Sequence, residues 1–262
     1  MTDMDEAALK GIAQRLANAE RERTAIDPPA AKAGLSVADA YRVQMINVER
    51  RIASGSRIVG RKVGLTSIAM QKMLGVNEPD FGHLFEEMVL ASGCACPTKT
   101  LMLPRVEPEI AFVLNRELRG PGVTRQQVLE AAECVTPALE IIDTRIRGWQ
   151  ITLADTIADN ASSARVVLGD QRTPALKFDL ASIEMVLKKN GETVETGVGA
   201  AVLGHPAEPV AWLANKLADF GQSLAAGSVV IPGALCRAVE VMVGDSITAE
   251  FTHLGSVSAR FV

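Results

Sequence analysis

Apolar residues recur at helical spacing through the first fifty positions and in shorter, denser runs after them. Leu9, Ile12, Leu16 and Ala19 fall three or four apart, which predicts a helix over 7–25 with one buried stripe. Its end, Glu20-Arg21-Glu22-Arg23, reads as a solvated face. Pro28-Pro29 marks a loop. Ser36-Val37-Ala38-Asp39 has the form of a capping box, satisfying free backbone N–H groups at a helix start. The helix after it carries Val37, Ala40, Tyr41, Val48 and Ile52 on one side. Residues 1–56 therefore read as a helical layer laid over something else.

From Ile58 the pattern changes to short β-rich runs broken by Gly, Pro and Asp. Strands are predicted at 58–65, 87–91, 100–103, 106–114, 135–142 and 165–168. Thr66 or Ser67 opens a short helix through Met73, and Pro79-Asp80-Phe81-Gly82 reads as a turn. Thr124-Arg125-Gln126-Gln127 opens a second capped helix, to about 132. Asn190-Gly191, between Met185-Val186-Leu187 and Thr193-Val194, is a strong hairpin signal. Pro209 to Phe220 is amphipathic and ends at Gly221. The tail gives strands at 228–231, 238–243, 246–251 and 257–262. The class predicted is α+β, one catalytic domain over 1–262 with a mixed β core from 57 onward. The order of strands does not follow from this pattern.

Composition narrows the function. With 262 residues, 48% hydrophobic and 22% charged, the chain is long enough for one large core. A net charge of −4 argues against nucleic acid or an anionic membrane as partner. No run is apolar enough to span a bilayer, and the acidic start lacks the order of a signal peptide. Cys94, Cys96, Cys134 and Cys236 have neither zinc nor redox spacing, so reduced thiols in a cytoplasmic protein are expected. His83, His205 and His253 are scattered, which disfavours a histidine metal site or a Ser-His-Asp triad. Gly197-Val198-Gly199 lacks the remainder of a phosphate-binding motif.

The charged residues inside apolar runs carry the chemistry. In Pro104-Arg105-Val106-Glu107-Pro108-Glu109-Ile110, Glu107 and Glu109 share one face of a strand. Either the strand is a solvated edge, or the two carboxylates need a cation or a raised pKa. Glu140, inside Val135-Thr136-Pro137-Ala138-Leu139-Glu140-Ile141-Ile142, likewise wants a cation or an arginine, and Arg145 is nearby in sequence. Three carboxylates suit an octahedral divalent ion with positions left for water and substrate. Lys62 is either an exposed lysine on an edge strand or an ammonium that offsets the surplus negative charge and holds a substrate oxygen. Asp80 sits where aspartate is common for local reasons. Asp159-Asn160-Ala161-Ser162-Ser163 is either a hydrogen-bonded turn or a substrate wall.

Taken together, Gly60-Arg61-Lys62-Val63-Gly64-Leu65-Thr66-Ser67, Pro79-Asp80-Phe81-Gly82, the Glu107/Glu109 strand, Ala138-Leu139-Glu140-Ile141-Ile142-Asp143, Ala158 to Ser163 and Leu254-Gly255-Ser256-Val257-Ser258 resemble the hydratase/decarboxylase family of the fumarylacetoacetate hydrolase superfamily. The resemblance runs almost end to end. It implies a mixed β-roll or barrel with Mg²⁺ or Mn²⁺ at its mouth, held by Glu107, Glu109 and Glu140. It implies catalytic roles for Lys62 and Asp80, and a substrate wall from Ser67, Asp159, Asn160, Ser162 and Ser256. The activity implied is hydration of 2-hydroxypenta-2,4-dienoate in meta-cleavage degradation of aromatic compounds or steroids. The sister activity, decarboxylation of 2-oxo-3-hexenedioate, shares the metal motif. Pro79 to Gly82 and Val210 to Asn215 look more like the hydratases. Ala161 to Arg165 is closer to the decarboxylases, and Arg165 there keeps a dicarboxylic hydratase substrate such as 2-oxohept-4-ene-1,7-dioate in play. The resemblance also implies a homo-oligomer, a pentamer or decamer, and a pathway decarboxylase or aldolase as partner. A non-catalytic scaffold is the remaining alternative, disfavoured because a scaffold has no need of buried like charges.

Overall fold

A computed structural model describes residues 4–68, 71–72 and 75–262. The helix expected from Thr66 or Ser67 through Met73 lies partly outside the described residues. The helical layer holds α1 (Glu6–Glu22), α2 (Pro29–Ala33) and α3 (Val37–Ala53). Helix α1 buries Leu9, Ile12, Leu16 and Ala19, as its spacing predicts, and stops at Arg23 in the left-handed conformation (φ 50°). Ser36 Oγ caps α3 by accepting from the Asp39 N–H at 3.1 Å. Its neighbours further on are α4 (Arg125–Ala131), α5 (Leu153–Ala158) and α6 (Ala207–Ala218). Among the described residues no helix is long and apolar enough to cross a membrane.

The strands are β1 (Ile58–Gly64), β2 (Asp80–Phe85), β3 (Val89–Ala91), β4 (Cys94–Cys96), β5 (Arg105–Leu114), β6 (Ala132–Ile142), β7 (Ser163–Leu168), β8 (Glu184–Lys189), β9 (Glu192–Val198), β10 (Val229–Ile231), β11 (Val239–Glu240), β12 (Ser246–Phe251) and β13 (Gly255–Phe261). An 8-stranded sheet runs β2-β1-β10-β5-β6-β7-β3, with β11 beside β5. A 5-stranded sheet runs β4-β13-β12-β8-β9. Among the described residues neither path closes, which corrects the barrel alternative: the architecture is α+β with two open sheets.

Period-2 alternation decides which faces meet. Met185 and Leu187, then Ile247, Ala249 and Phe251, then Val257, Ala259 and Phe261 point into one core with Val135, Leu139 and Ile141 of β6. The opposite face of the large sheet carries Ala111, Ala138, Val166 and Ile231, covered by Val48 of α3. This second face also carries the polar side chains that matter below.

Three expectations change. Asp80 to Phe85 is a strand, because pairing with β1 (Gly64↔Asp80, Lys62↔Gly82) outweighs the turn preference of Asp and Gly. Residues 100–103 are not a strand: Asp143 draws the N–H groups of Met102 and Leu103 onto its carboxylate at 2.8 and 2.7 Å. The expected strand 238–243 shrinks to Val239–Glu240. The Asn190-Gly191 hairpin forms with φ of 55° and 86°, the left-handed pair such a turn requires.

Gln44 of α3 fastens the layers. Its buried Nε2 donates to the carbonyls of Phe81 (3.0 Å) and Ile157 (2.8 Å), tying α3 to β2 and α5. Gln44→Leu keeps the bulk and strands two buried acceptors, at about 1–3 kcal/mol each. Urea titration is expected to show a lower midpoint with an unchanged slope.

Candidate metal-centred active site

Antiparallel pairing of β5 with β6 sets Glu107 directly opposite Glu140 and Glu109 opposite Ala138. All three carboxylates therefore lie on the second face of the large sheet. One oxygen from each lies within 4.8 Å of the others. Like charges at opposed positions destabilise a sheet, and burial magnifies the cost. Glu109 and Glu140 are completely buried. Burial, then the neighbouring Glu140, pushes Glu107 up to about 7. Burial, then Glu140 and Glu107, pushes Glu109 well above the usual carboxylate range. Glu109 Oε2 accepts from the Gly233 N–H at 2.7 Å. Glu109 Oε1 and both oxygens of Glu140 have no hydrogen-bond partner. Hard oxygen donors, surplus negative charge and unpartnered lone pairs facing one point suit a divalent cation such as Mg²⁺ or Mn²⁺.

Lys62 reaches this cluster from β1. Two strands, β10 and β5, separate β1 from β6, yet Lys62 Nζ lies 3.3 Å from Glu140 Oε2. Flat strands would hold these residues about 14 Å apart, so the sheet curls around the site. Burial alone would depress Lys62, but Glu140, Asp80, Glu107 and Glu109 together raise it, so the ammonium stays charged. The expectation that Glu140 might pair with Arg145 is not met. Arg145 instead binds Asp159 through Nε at 2.5 Å.

Asp80 is buried at the start of β2, opposite Gly64. A Cβ on Gly64 would collide with Asp80 Oδ1 and come within 3.3 Å of Lys62 Nζ, so this glycine makes room for both side chains. Burial raises the Asp80 carboxyl, Lys62 opposes that, and Glu140 adds to it. Its Oδ1 is another unpartnered buried atom.

Lys62, Asp80 and Glu107 share a cavity of about 440 Å³. Ser67 and Ser162 also line it. The other three residues expected at the substrate wall lie elsewhere. Asp159 does not line this cavity, because its carboxylate is taken by Arg145. Asn160 is bonded to β2 and faces, with Asp159, a separate cavity toward α1 and α3. Ser256 is exposed on β13, paired with Glu250 in the smaller sheet. Short polar side chains suit turns and walls equally, so their residue type cannot separate the two. Arg165 points elsewhere as well, donating to the Ala164 carbonyl at 2.7 Å.

Two backbone groups in the site have no side-chain signature: the Gly233 N–H and the Ala161 carbonyl, which accepts from Lys62 Nζ at 2.9 Å. Gly233 has φ 119°, and a Cβ there would strike Thr66 Oγ1, so the Pro232-Gly233 turn requires glycine. The side walls are mostly apolar, from Val63, Leu65, Ile142, Trp149, Ile151 and Cys236.

Residues 58–262 match the family model for the fumarylacetoacetate (FAA) hydrolase C-terminal region. The chain is 46% identical over 220 residues to a 2-hydroxypent-2,4-dienoate hydratase from Pseudomonas putida, covering 83% of this chain and 99% of the relative. It is 45% identical to a 2-hydroxyhexa-2,4-dienoate hydratase from Comamonas testosteroni, covering 87% of each. Among solved structures it superposes on 4-oxalocrotonate decarboxylase from Pseudomonas putida, complexed with magnesium and adipate. The TM-score is 0.96 at 39% identity, over 100% of this chain and 99% of that one.

The carboxylate geometry predicts metal binding that competes with protons. With Glu107 near 7, Mn²⁺ affinity measured by calorimetry is expected to fall as pH drops through 7, with proton release on binding. Glu109→Gln retains an acceptor for the Gly233 N–H but removes a charge. It is expected to weaken Mn²⁺ by more than about 100-fold. Unchanged affinity in that variant would exclude the cluster as the site.

Proposed function

The chain belongs to the fumarylacetoacetate hydrolase family, and from that premise we propose that it is a divalent-metal-dependent hydratase. Its substrate is 2-hydroxypenta-2,4-dienoate, the enol of 2-oxopent-4-enoate, and its product is 4-hydroxy-2-oxopentanoate. The reaction belongs to meta-cleavage degradation of aromatic compounds or steroids. The observation that carries the reading is the cluster of Glu107, Glu109 and Glu140, met by Lys62, beside an apolar-walled cavity that Glu107, Lys62 and Asp80 line. The hydratase relatives support the substrate class.

Glu107, Glu109 and Glu140 would hold Mg²⁺ or Mn²⁺. When bound, the ion supplies Lewis acidity beside the substrate's 2-oxygen. The protein's own groups move the protons. Lys62, held charged among carboxylates, donates a hydrogen bond to the 2-oxygen as negative charge gathers there. The dienol gives up its O–H proton, and C5 gains one, leaving a 2-oxo-3-enoate. Water then adds across C3 and C4, its oxygen to C4 and a proton to C3. Asp80, which lines the same cavity as Lys62 and whose carboxyl burial raises against the opposing pull of Lys62, would carry these protons.

The superposition on a decarboxylase favours decarboxylation of 2-oxo-3-hexenedioate as the second reading. The cavity's arginines bear on the choice. Arg105 and Arg237 stand at its rim, but Arg105 is paired with Glu240 at 3.0 Å and Arg237 with Glu195. Cations already neutralised at the rim, with apolar walls between, favour a substrate with one carboxylate and an apolar tail. The family resemblance further supports a homo-oligomer, a pentamer or decamer, working in the cytoplasm beside a pathway decarboxylase or aldolase. Met242, Val243 and Val262, exposed by 70%, 72% and 54%, suit a subunit contact.

The test follows the dienol absorbance when 2-hydroxypenta-2,4-dienoate meets protein and Mg²⁺, with product identification and a chelated control. Metal-dependent loss to 4-hydroxy-2-oxopentanoate is expected. Carbon dioxide release from 2-oxo-3-hexenedioate without hydration would move the assignment to the decarboxylase. Asp80→Asn is expected to lower kcat by about 10²–10⁴-fold while Mn²⁺ affinity changes little. Equal loss of both would make Asp80 structural.

A further inference from the structure

Asn160, Ala161 and Ser162 have φ of 55°, 50° and 56°. Three consecutive non-glycine residues in the left-handed region form a turn that L-amino acids disfavour at every position. Such a conformation persists only where its surroundings over-determine it. The fastener here is the Asn160 side chain. Its Oδ1 accepts from the His83 N–H at 2.8 Å, and its Nδ2 donates to the His83 carbonyl at 3.0 Å. The amide thus binds β2 as a neighbouring strand would. Gly82 completes the fit, since a Cβ there would strike the Asn160 carbonyl oxygen. Beyond the turn, the Asp143 N–H donates to the Ser162 carbonyl at 2.9 Å.

The turn aims the Ala161 carbonyl at Lys62 Nζ, 2.9 Å away. An ammonium has three N–H donors. One goes to Ala161 and one faces Glu140 Oε2 at 3.3 Å, leaving the third for the cavity. Without the carbonyl, the ammonium loses the 2.9 Å contact that holds it against the pull of Glu140.

We propose that Asn160 is a positioning residue for Lys62, acting through the left-handed turn and the Ala161 carbonyl. The inference rests on the reading above that Lys62 holds the substrate's 2-oxygen. It also replaces the expected role of Asn160 as a substrate contact.

A double-mutant cycle tests it. The probe is 2-oxopentanoate, which keeps the carboxylate and 2-oxygen but has no double bond to react. Its affinity for Mn²⁺-loaded protein is read by calorimetry, alongside kcat with the dienoate. Lys62→Met and Asn160→Ala are each expected to weaken 2-oxopentanoate about tenfold, the double variant no more than Lys62→Met alone. In Asn160→Ala, Mn²⁺ affinity is expected to stay within about threefold, because Lys62 and the three glutamates are all retained. Asn160→Asp keeps the acceptor for the His83 N–H, loses the donor and sets a charged oxygen against the His83 carbonyl. It is expected to fall between wild type and Asn160→Ala, and it serves if the alanine variant does not fold. Additive losses in the double variant would overturn the proposal, as would full 2-oxopentanoate affinity and kcat in Asn160→Ala. Full affinity and kcat in Lys62→Met would instead overturn the reading of Lys62 on which the proposal stands.

Discussion

The repulsion among Glu107, Glu109 and Glu140 is the constraint on which the rest of the site depends. Strand pairing forces the three together on a buried face, where water cannot disperse their charge. Each neighbouring feature answers that charge. Gly233 turns an N–H onto Glu109, Lys62 arrives from across a curled sheet, and unpartnered oxygens are left converging on one point. A fold selected only for stability would replace such a cluster with apolar side chains at no loss. Its survival in an otherwise apolar sheet argues for chemistry, and against the scaffold alternative.

The frame around the cluster is built from backbone as much as from side chains. Glycines 64, 82 and 233 each sit where a Cβ would strike a residue of the site or of its support. Their absence of side chains lets Asp80, the Asn160–Ser162 turn and the Glu109-binding loop approach β1 and β2 closely. The Arg145–Asp159 pair anchors the residues just before that turn, with Asp159 also accepting from the Arg145 N–H at 3.0 Å. Gln44 then ties the helical layer to the same strand that Asn160 grips. Strain in the turn is thereby offset by contacts from three separate segments, the usual arrangement where an unfavourable backbone serves a site.

How much of this was legible depended on the kind of signal. Glu107 and Glu109 were readable because a strand's period of two puts them on one face. Glu140 and Lys62 were readable because a charge inside an apolar run has to be answered by something. Asp80 was singled out in a segment taken for a turn, and pairing with β1 made that segment a strand. Asp159, Asn160 and Ser256 were grouped with the substrate wall, since small polar residues serve walls, clamps and surfaces alike. The Ala161 carbonyl and the Gly233 N–H were not legible at all, because every residue carries those groups and only the chain's path gives them a target.

The sequence by itself determined the helical layer, the α+β class, most strands and the identity of the charged residues that need partners. These follow from local periodicity and from the cost of burying charge, both properties of neighbouring residues. Tertiary structure alone decided that Glu140 meets Lys62 rather than Arg145, that the Asn160 side chain binds β2, and that the sheets stay open among the described residues. Those outcomes turn on strand order and curl. They arise from contacts between residues as far apart as Lys62 and Ala161, on which short-range pattern places no constraint.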